Sequence, residues 1–166
     1  VLWLCLIGAA ATTVARNLDG SLQPLDGILA ARNLPLMWLT LVLLKLVHEL
    51  GHAYACKHYG GSIPEMGLYF ILFTPCAYVD ATSSWAFTRK WERIVVCLAG
   101  VYVESIIAAL AVFVWSATTP GFLHSAAYNV VFLAGLMTVV FNINPLMRYD
   151  GYYILSDLLE VPNLRQ

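Results

Sequence analysis

Two histidines and a glutamate lie close together in the stretch HELGH, at a spacing that can bind a metal ion. His48 and His52 are four residues apart, so on a helix their side chains share one face and can chelate one zinc ion. Glu49, beside His48, can act as a general base on a water at that ion. The pattern therefore predicts two zinc ligands and one catalytic carboxylate.

The residues before this stretch, LMWLTLVLL, are typical of a membrane-spanning helix. Ionisable side chains at membrane depth are costly and usually have a task there. If His48, Glu49 and His52 were purely structural, three costly side chains would lie in such a helix without a function. The surroundings therefore favour a functional metal site inside a membrane.

Zinc in a catalytic site needs a third protein ligand and an open position, and three residues are candidates. His58 has the outer spacing of H-E-x-x-H-x-x-G-x-x-H, but Ala55 stands where that pattern has glycine. On an unbroken helix, His58 would lie about 15 Å along the axis from His48. Asp80 follows a broken apolar segment, where a turn or helix-capping role is expected.

Asp150 is the favoured third ligand. It lies in FNINPLMRYDGYY, where Pro145 and Gly151 break the backbone at the end of an apolar helix. Membranes tolerate such breaks where the chain is packed in protein or lines a cavity. A carboxylate at that depth rarely lacks a function, which favours metal binding over a helix cap.

The composition indicates that lipid is the solvent of this chain. Its residues are 60% hydrophobic and 11% charged, whereas a soluble domain is roughly a quarter charged, and its mean hydropathy is +0.74. The net charge of -1 argues against nucleic acid as a partner. The four cysteines form no C-x-x-C pair and are expected to pack as small hydrophobes.

The apolar runs predict an all-α polytopic membrane protein with about four transmembrane helices. The first run, to about Val14, is interpreted as a truncated helix, and a loop from Ala15 to Pro35 follows it. A second helix is predicted from Leu36 to Tyr59, where two glycines end it. The third and fourth are IVVCLAGVYVESIIAALAVFVWSA and AAYNVVFLAGLMTVVFNI, and YYILSDLLEV predicts a further helix or half-helix.

Two segments between the second and third helices differ from the rest. IPEMGLYFILFTPCAYVD is apolar but interrupted by proline and glycine, which predicts a short re-entrant or membrane-edge β segment. ATSSWAFTRKWER is amphipathic and is expected at the interface. Its cations Arg89, Lys90 and Arg93, together with Lys57, predict that this side faces the cytoplasm. A multi-pass protein of the bacterial inner membrane is therefore expected.

HELGH together with NINPLMRYDG resembles the site-2 protease family of intramembrane zinc metallopeptidases, in particular its bacterial peptide zinc metalloprotease branch. That family pairs H-E-x-x-H in one transmembrane helix with N-x-x-P-x-x-x-x-D-G in a later one. Asn142, Pro145, Asp150 and Gly151 match the second motif at the family spacing. The resemblance extends from about Leu36 to Leu159.

The resemblance implies the role of each site residue. His48, His52 and Asp150 would bind Zn2+, Glu49 would activate the water, and Asn142 would contact the substrate backbone or the developing oxyanion. The substrate would be a transmembrane or membrane-associated peptide, and the broken apolar segment would pair with it. The third helix departs from the family's A-G-P-x-x-N, because it reads AGVYVE.

Residues 1–166 are interpreted as one membrane-embedded peptidase core, with residues 36–159 holding both motifs. Because the first apolar run is interpreted as a truncated helix, the sequence is expected to be a piece of a longer protein, in which additional domains are an open expectation. The alternative function is a membrane component of a peptide export system that retains a zinc site. A metal transporter is a weaker alternative, because its ionisable residues would be spread over several helices. The roles of Lys45 and Glu104 stay open.

Overall fold

A computed structural model describes residues 1–17 and 30–161. Most of the predicted loop and the end of the chain, residues 18–29 and 162–166, lie outside the described part. In chain order the elements are α1 (Leu2–Arg16), α2 (Leu34–His58), β1 (Met66–Ile71), β2 (Thr74–Val79), a 3₁₀ turn (Thr82–Ala86), α3 (Lys90–Ala117), α4 (Phe122–Met137), a π-helical turn (Thr138–Asn142) and α5 (Asp150–Leu159). The protein is thus mostly helical, with one small sheet.

Three stretches of helix in the described part are long and apolar enough to cross a membrane: α2, α3, and α4 together with the π turn. Leucines 39, 43, 46 and 50 are exposed along α2, and their spacing of four, three and four places them on one face. Such a stripe is expected to face lipid, because a helix satisfies its own backbone and needs only apolar side chains outward. α1 is also apolar but has 15 residues, so the structure does not establish a fourth span.

The predicted helices form, with shifted ends. α2 ends at His58, and Gly60 follows at φ +84°, a left-handed conformation that glycine adopts at no steric cost. α3 begins at Lys90, four residues before the predicted start at Ile94. α4 gives way to a π turn after Met137, where a continuous helix was predicted.

The broken apolar segment forms a two-stranded antiparallel hairpin. β1 pairs with β2 from Met66 opposite Val79 to Ile71 opposite Thr74. Leu72 and Phe73 make the two-residue turn, both at positive φ, as a type I′ hairpin requires. Both side chains are almost fully exposed. The prediction of a short β segment is therefore confirmed, and its place at the membrane edge stays a prediction.

The described residues form two compact units, which are taken separately here. The first contains the described residues among 1–44 together with residues 104–135. Its core has two clusters, one around Ala10, Ala109 and Val112 and the other around Leu44, Leu133 and Ala134. Two polar contacts accompany them: Asn33 and Asn129 exchange side-chain hydrogen bonds, and Trp3 donates to Ser105.

The second unit contains residues 45–103 and 136–161 of the described part, and it holds every residue of the predicted site. Two ion pairs join the start of α3 to α5 within it. Arg93 Nε lies 2.7 Å from Asp157 Oδ1, and Lys90 Nζ lies 2.6 Å from Glu160 Oε1. These contacts fix α5, whose first residue is Asp150, against the N-terminal part of α3.

Candidate metal centre

The two histidines of HELGH converge as the helical spacing predicts. His48 and His52 lie on one face of α2, and 3% and 9% of their surfaces are exposed. Their Nε2 atoms are 3.1 Å apart, with the rings edge to face. Two nitrogens therefore point into one buried spot.

Asp150 reaches the same spot from α5. Its Oδ2 lies 3.1 Å from Nε2 of His48 and 3.5 Å from Nε2 of His52. Gly151 makes this approach possible, because a Cβ there would collide with the carbonyl oxygen of Ile143. Asp150 does not cap the helix, since Tyr149 occupies the N-cap position. The structure thus brings together the three predicted ligands and groups them as a possible metal site.

The triangle of donor atoms has the size that zinc requires. Tetrahedral ligands at about 2.0–2.1 Å from zinc are about 3.3–3.4 Å from one another, and the three edges here measure 3.1, 3.1 and 3.5 Å. Oδ2 of Asp150 is buried, yet no described residue gives it a hydrogen bond of acceptable geometry. The site's chemistry therefore fits a zinc ion better than a set of direct hydrogen bonds.

A backbone carbonyl orients the ring of His52. Nδ1 of His52 lies 2.7 Å from the carbonyl oxygen of Val96 on α3. Because a carbonyl only accepts, Nδ1 carries a hydrogen, and in the neutral ring Nε2 then has the lone pair that a metal ion would bind. This arrangement is the usual support of a metal-binding histidine, in which the second nitrogen donates to an oxygen.

Gly100 leaves room for both rings. A Cβ at this position of α3 would lie 2.6 Å from Cε1 and Nε2 of His48 and 2.6 Å from Nε2 of His52. The histidines therefore pack directly on the helix backbone. The sequence analysis did not identify Gly100 or Val96 as part of the site.

The carboxyl groups of the site differ in their roles. Burial by itself would raise the pKa of the Asp150 carboxyl, but the two nearby imidazoles outweigh it and hold this pKa below its usual range. A lowered pKa favours the ionised carboxyl group, which is the form that binds a metal. Glu49 adjoins His48 in the chain but is outside the group of three possible ligands.

The two discarded ligand candidates lie elsewhere. His58 is the exposed last residue of α2, and its ring packs against Tyr59. Asp80 accepts hydrogen bonds at Oδ1 from the backbone N–H and the hydroxyl of Thr82, which also lower its pKa. Asp80 therefore has the turn role that was expected of it.

Asn142 has a partner that the sequence analysis left open. It is 2% exposed and ends the π turn, and its Oδ1 accepts a hydrogen bond of 3.4 Å from Nζ of Lys45. Lys45 lies one turn before His48 on α2. Its face was predicted from the spacing, but its partner was not.

A cavity of about 710 Å³ with mixed polar and apolar walls borders the second unit's helices. Its lining includes Cys97, which follows Val96, and Tyr152, two residues after Asp150. The wall also contains the ion pairs between α3 and α5. This volume is in the range of ligand-binding clefts, but none of the three candidate metal ligands lines the cavity.

The comparisons with known proteins agree with this geometry. The family model described as "Peptidase family M50" matches residues 36–127. The "Putative peptide zinc metalloprotease protein YydH" of Bacillus subtilis (strain 168) is 28% identical over 131 residues, which cover 75% of this chain and 50% of the relative. The chain thus spans about half the length of that relative.

No solved structure matches the chain. The family model, however, covers more than half of the 166 residues and includes HELGH and the helix that packs on it. The resemblance noted in the motifs is confirmed by this match. The chain belongs to peptidase family M50, the site-2 protease family of membrane zinc metallopeptidases.

Proposed function

We propose that this chain is the membrane-embedded core of a zinc metalloendopeptidase that hydrolyses peptide bonds within or next to the lipid bilayer. One observation carries the proposal: two imidazole nitrogens and a carboxylate oxygen, from helices far apart in sequence, converge in a triangle of zinc-binding size. Family membership and the name of the Bacillus subtilis relative support the same chemistry.

His48, His52 and Asp150 are the residues that would hold Zn2+. When bound, zinc supplies Lewis acidity that polarises the scissile carbonyl and lowers the pKa of a water. Glu49 accepts the proton of the attacking water and delivers it to the leaving amine nitrogen. Its position supports this role, because it adjoins the ligands without being one of them.

Asn142 contacts the substrate backbone or the oxyanion that develops on its carbonyl. A hydrogen bond from a preorganised donor to the substrate carbonyl oxygen strengthens as negative charge develops on that oxygen. The β1–β2 hairpin supports a membrane peptide as substrate, since an edge strand can pair with an unwound segment. The substrate must be unwound, because a helical carbonyl is already hydrogen-bonded and shielded.

The proposal extends to the whole chain. Residues 1–166 form a single peptidase core, in which α1 is the fourth transmembrane segment beside the three long apolar helices. The chain lies in the bacterial inner membrane, with the Arg89–Arg93 side in the cytoplasm. Its substrates are transmembrane or membrane-associated peptides, as expected for a site-2 protease relative.

Glu49→Gln tests the reaction. Glutamine has nearly the shape of glutamate but accepts no proton, so the variant is expected to keep its zinc and lose cleavage by at least 10²–10⁴-fold, as for a general base. The assay uses a flexible single-span peptide with helix-breaking residues, with zinc content measured on each sample. Undiminished cleavage by zinc-loaded Glu49→Gln would refute the mechanism. Absence of cleavage by the wild type across many such peptides would favour the export-system alternative.

A further inference from the structure

Tyr152 has a buried hydroxyl group that the proposed reaction does not use. Its side chain is 4% exposed, and among the described residues its hydroxyl has no hydrogen-bond partner. A buried tyrosine usually places its hydroxyl against a partner, because burying a polar group without one is unfavourable. Tyr152 lines the cavity of about 710 Å³, so a ligand in that cavity can supply the partner.

The cavity has a charged end and an end without charges. The two ion pairs between α3 and α5 form part of its wall, and their order along the chain makes the two helices antiparallel there. Cys97 lies about 10 Å further along the axis of α3 than Lys90, and Tyr152 lies about 7.5 Å further along α5 than Asp157, in the same direction. Tyr152 therefore lies at the end away from the ion pairs.

The charged end lies at the depth expected of the membrane surface. Lys90 and Arg93 stand in the first turn of α3, and the helix that follows them is apolar enough to cross a membrane. Trp85 and Trp91 are 66% and 62% exposed nearby, and tryptophan is enriched where a bilayer meets water. The cavity therefore leads from the headgroup level of a bilayer toward its hydrocarbon layer, as a phospholipid molecule does.

The charges on the wall match a zwitterion. An ammonium has three donors and a guanidinium five, so Lys90 and Arg93 have donors left beyond their ion pairs and can donate to a phosphate. Asp157 and Glu160 beside them would repel a purely anionic ligand but attract an ammonium group. Trp85 also lines the cavity, and the face of an aromatic ring attracts a cation.

We propose that this cavity binds one zwitterionic phospholipid of the surrounding bilayer. The lipid phosphate accepts hydrogen bonds from Lys90 and Arg93, and the lipid ammonium lies beside Glu160. The hydroxyl of Tyr152 donates to an ester carbonyl of the same molecule. None of the three candidate metal ligands lines the cavity, so the inference holds whether or not the chain cleaves peptides.

Tyr152→Phe tests the proposal, because it removes only the hydroxyl. Native mass spectrometry of the purified chain in detergent, titrated with phosphatidylethanolamine, should find one tightly bound lipid per wild-type chain. Tyr152→Phe should bind it about threefold to tenfold more weakly, as for one lost hydrogen bond. Tyr54→Phe is the matched control, because Tyr54 is 77% exposed on α2 and does not line the cavity. Equal affinities of the two variants would overturn the proposal.

The stability of lipid-free protein shows whether the hydroxyl serves a ligand or the fold. Since it has no partner among the described residues, Tyr152→Phe should melt no lower than the wild type in lipid-free detergent. Added phosphatidylethanolamine should raise the melting temperature of the wild type more than that of Tyr152→Phe. A variant that already melts lower without lipid would show that the hydroxyl serves the fold, and the inference would be wrong.

Three other ligands test the chemical class. Phosphatidylglycerol with the same acyl chains lacks the ammonium, diacylglycerol lacks the whole headgroup, and glycerophosphoethanolamine lacks the acyl chains. Each is expected to bind the wild type at least about tenfold more weakly than phosphatidylethanolamine, because each loses a charged contact or the burial of the chains. Equal binding of phosphatidylglycerol or diacylglycerol would contradict the zwitterion, and equal binding of glycerophosphoethanolamine would contradict a lipid.

Discussion

Gly100→Ala is expected to damage the metal site without touching a ligand. The added Cβ would lie 2.6 Å from Nε2 of both His48 and His52, whereas ordinary van der Waals contacts are 3.4–4 Å. Each ring must therefore move by about 0.8 Å or more, since overlap at such distances is steeply repulsive. The His52 imidazole cannot retreat freely, because the carbonyl oxygen of Val96 lies 2.7 Å from its Nδ1.

The size of the effect follows from how strictly zinc sets its distances. Ligand positions in a metal site must be kept to within about 0.2 Å, so a shift of about 0.8 Å breaks at least one bond or tilts a helix. Loss of a hydrogen bond that supports a metal ligand typically lowers metal affinity about 10–100-fold. The zinc affinity of Gly100→Ala is expected to fall by at least this factor. Cleavage should fall with it.

The assay is a zinc competition titration against a chromophoric chelator in detergent. Gly135→Ala is the matched control, because a Cβ at that helical glycine meets no atom within 4 Å, so its zinc affinity should equal that of the wild type. If Gly100→Ala binds zinc as tightly as Gly135→Ala, the packing of the two histidines on α3 is not as described here, and the reasoning fails.

Two further predictions concern the attachment of α5. Arg93→Met removes the 2.7 Å ion pair with Asp157, in which both side chains are 22% exposed, and should lower the free energy of unfolding by about 1–3 kcal/mol. Arg89→Met is the control, because the Arg89 side chain is 81% exposed and its loss should change the free energy of unfolding little. Equal melting temperatures for the two variants would contradict this prediction. The hydrogen bond from Lys90 holds the pKa of Glu160 below its ordinary value. The ionised Glu160 therefore contributes a small stabilisation that is present above the ordinary pKa of a glutamate and is lost as the pH falls through the lowered pKa. If the melting temperatures of Glu160→Gln and the wild type depend on acidic pH in the same way, this prediction is refuted.

The three candidate ligands could be named from the sequence because each has a signal there. The i, i+4 spacing of His48 and His52 needs only helix geometry, and it held. Asp150 was identified by the backbone break around it, and the structure places its carboxylate at the same spot. That the bound ion is zinc stays a prediction, which the distances among the three donor atoms support.

The supports of the site could not be predicted, because they are tertiary contacts. Val96 contributes a backbone carbonyl, which every residue has, so no residue type marks it. Gly100 stands in a helix where glycine has several uses, and only the packing of α2 on α3 shows that two imidazoles need its space. Lys45 faces Asn142 across 97 residues of sequence.

The helix boundaries failed for a related reason. The charges of RKWER argued for an interfacial segment before the third helix, but Lys90 and Arg93 belong to α3. Their charges are balanced by Glu160 and Asp157 on α5, which hydropathy along the sequence cannot show. A π turn likewise looks like ordinary helix in its residue pattern, so the change after Met137 was not foreseen.

The zinc content of Asp150→Ala and His58→Ala, measured side by side on purified protein, tests the central claim most directly. The wild type is expected to hold one zinc per chain. Asp150→Ala should lose it, because the site then keeps only two protein ligands, and His58→Ala should retain it in full, since His58 is exposed at the end of α2. Full zinc in Asp150→Ala together with loss in His58→Ala would contradict the proposed metal centre.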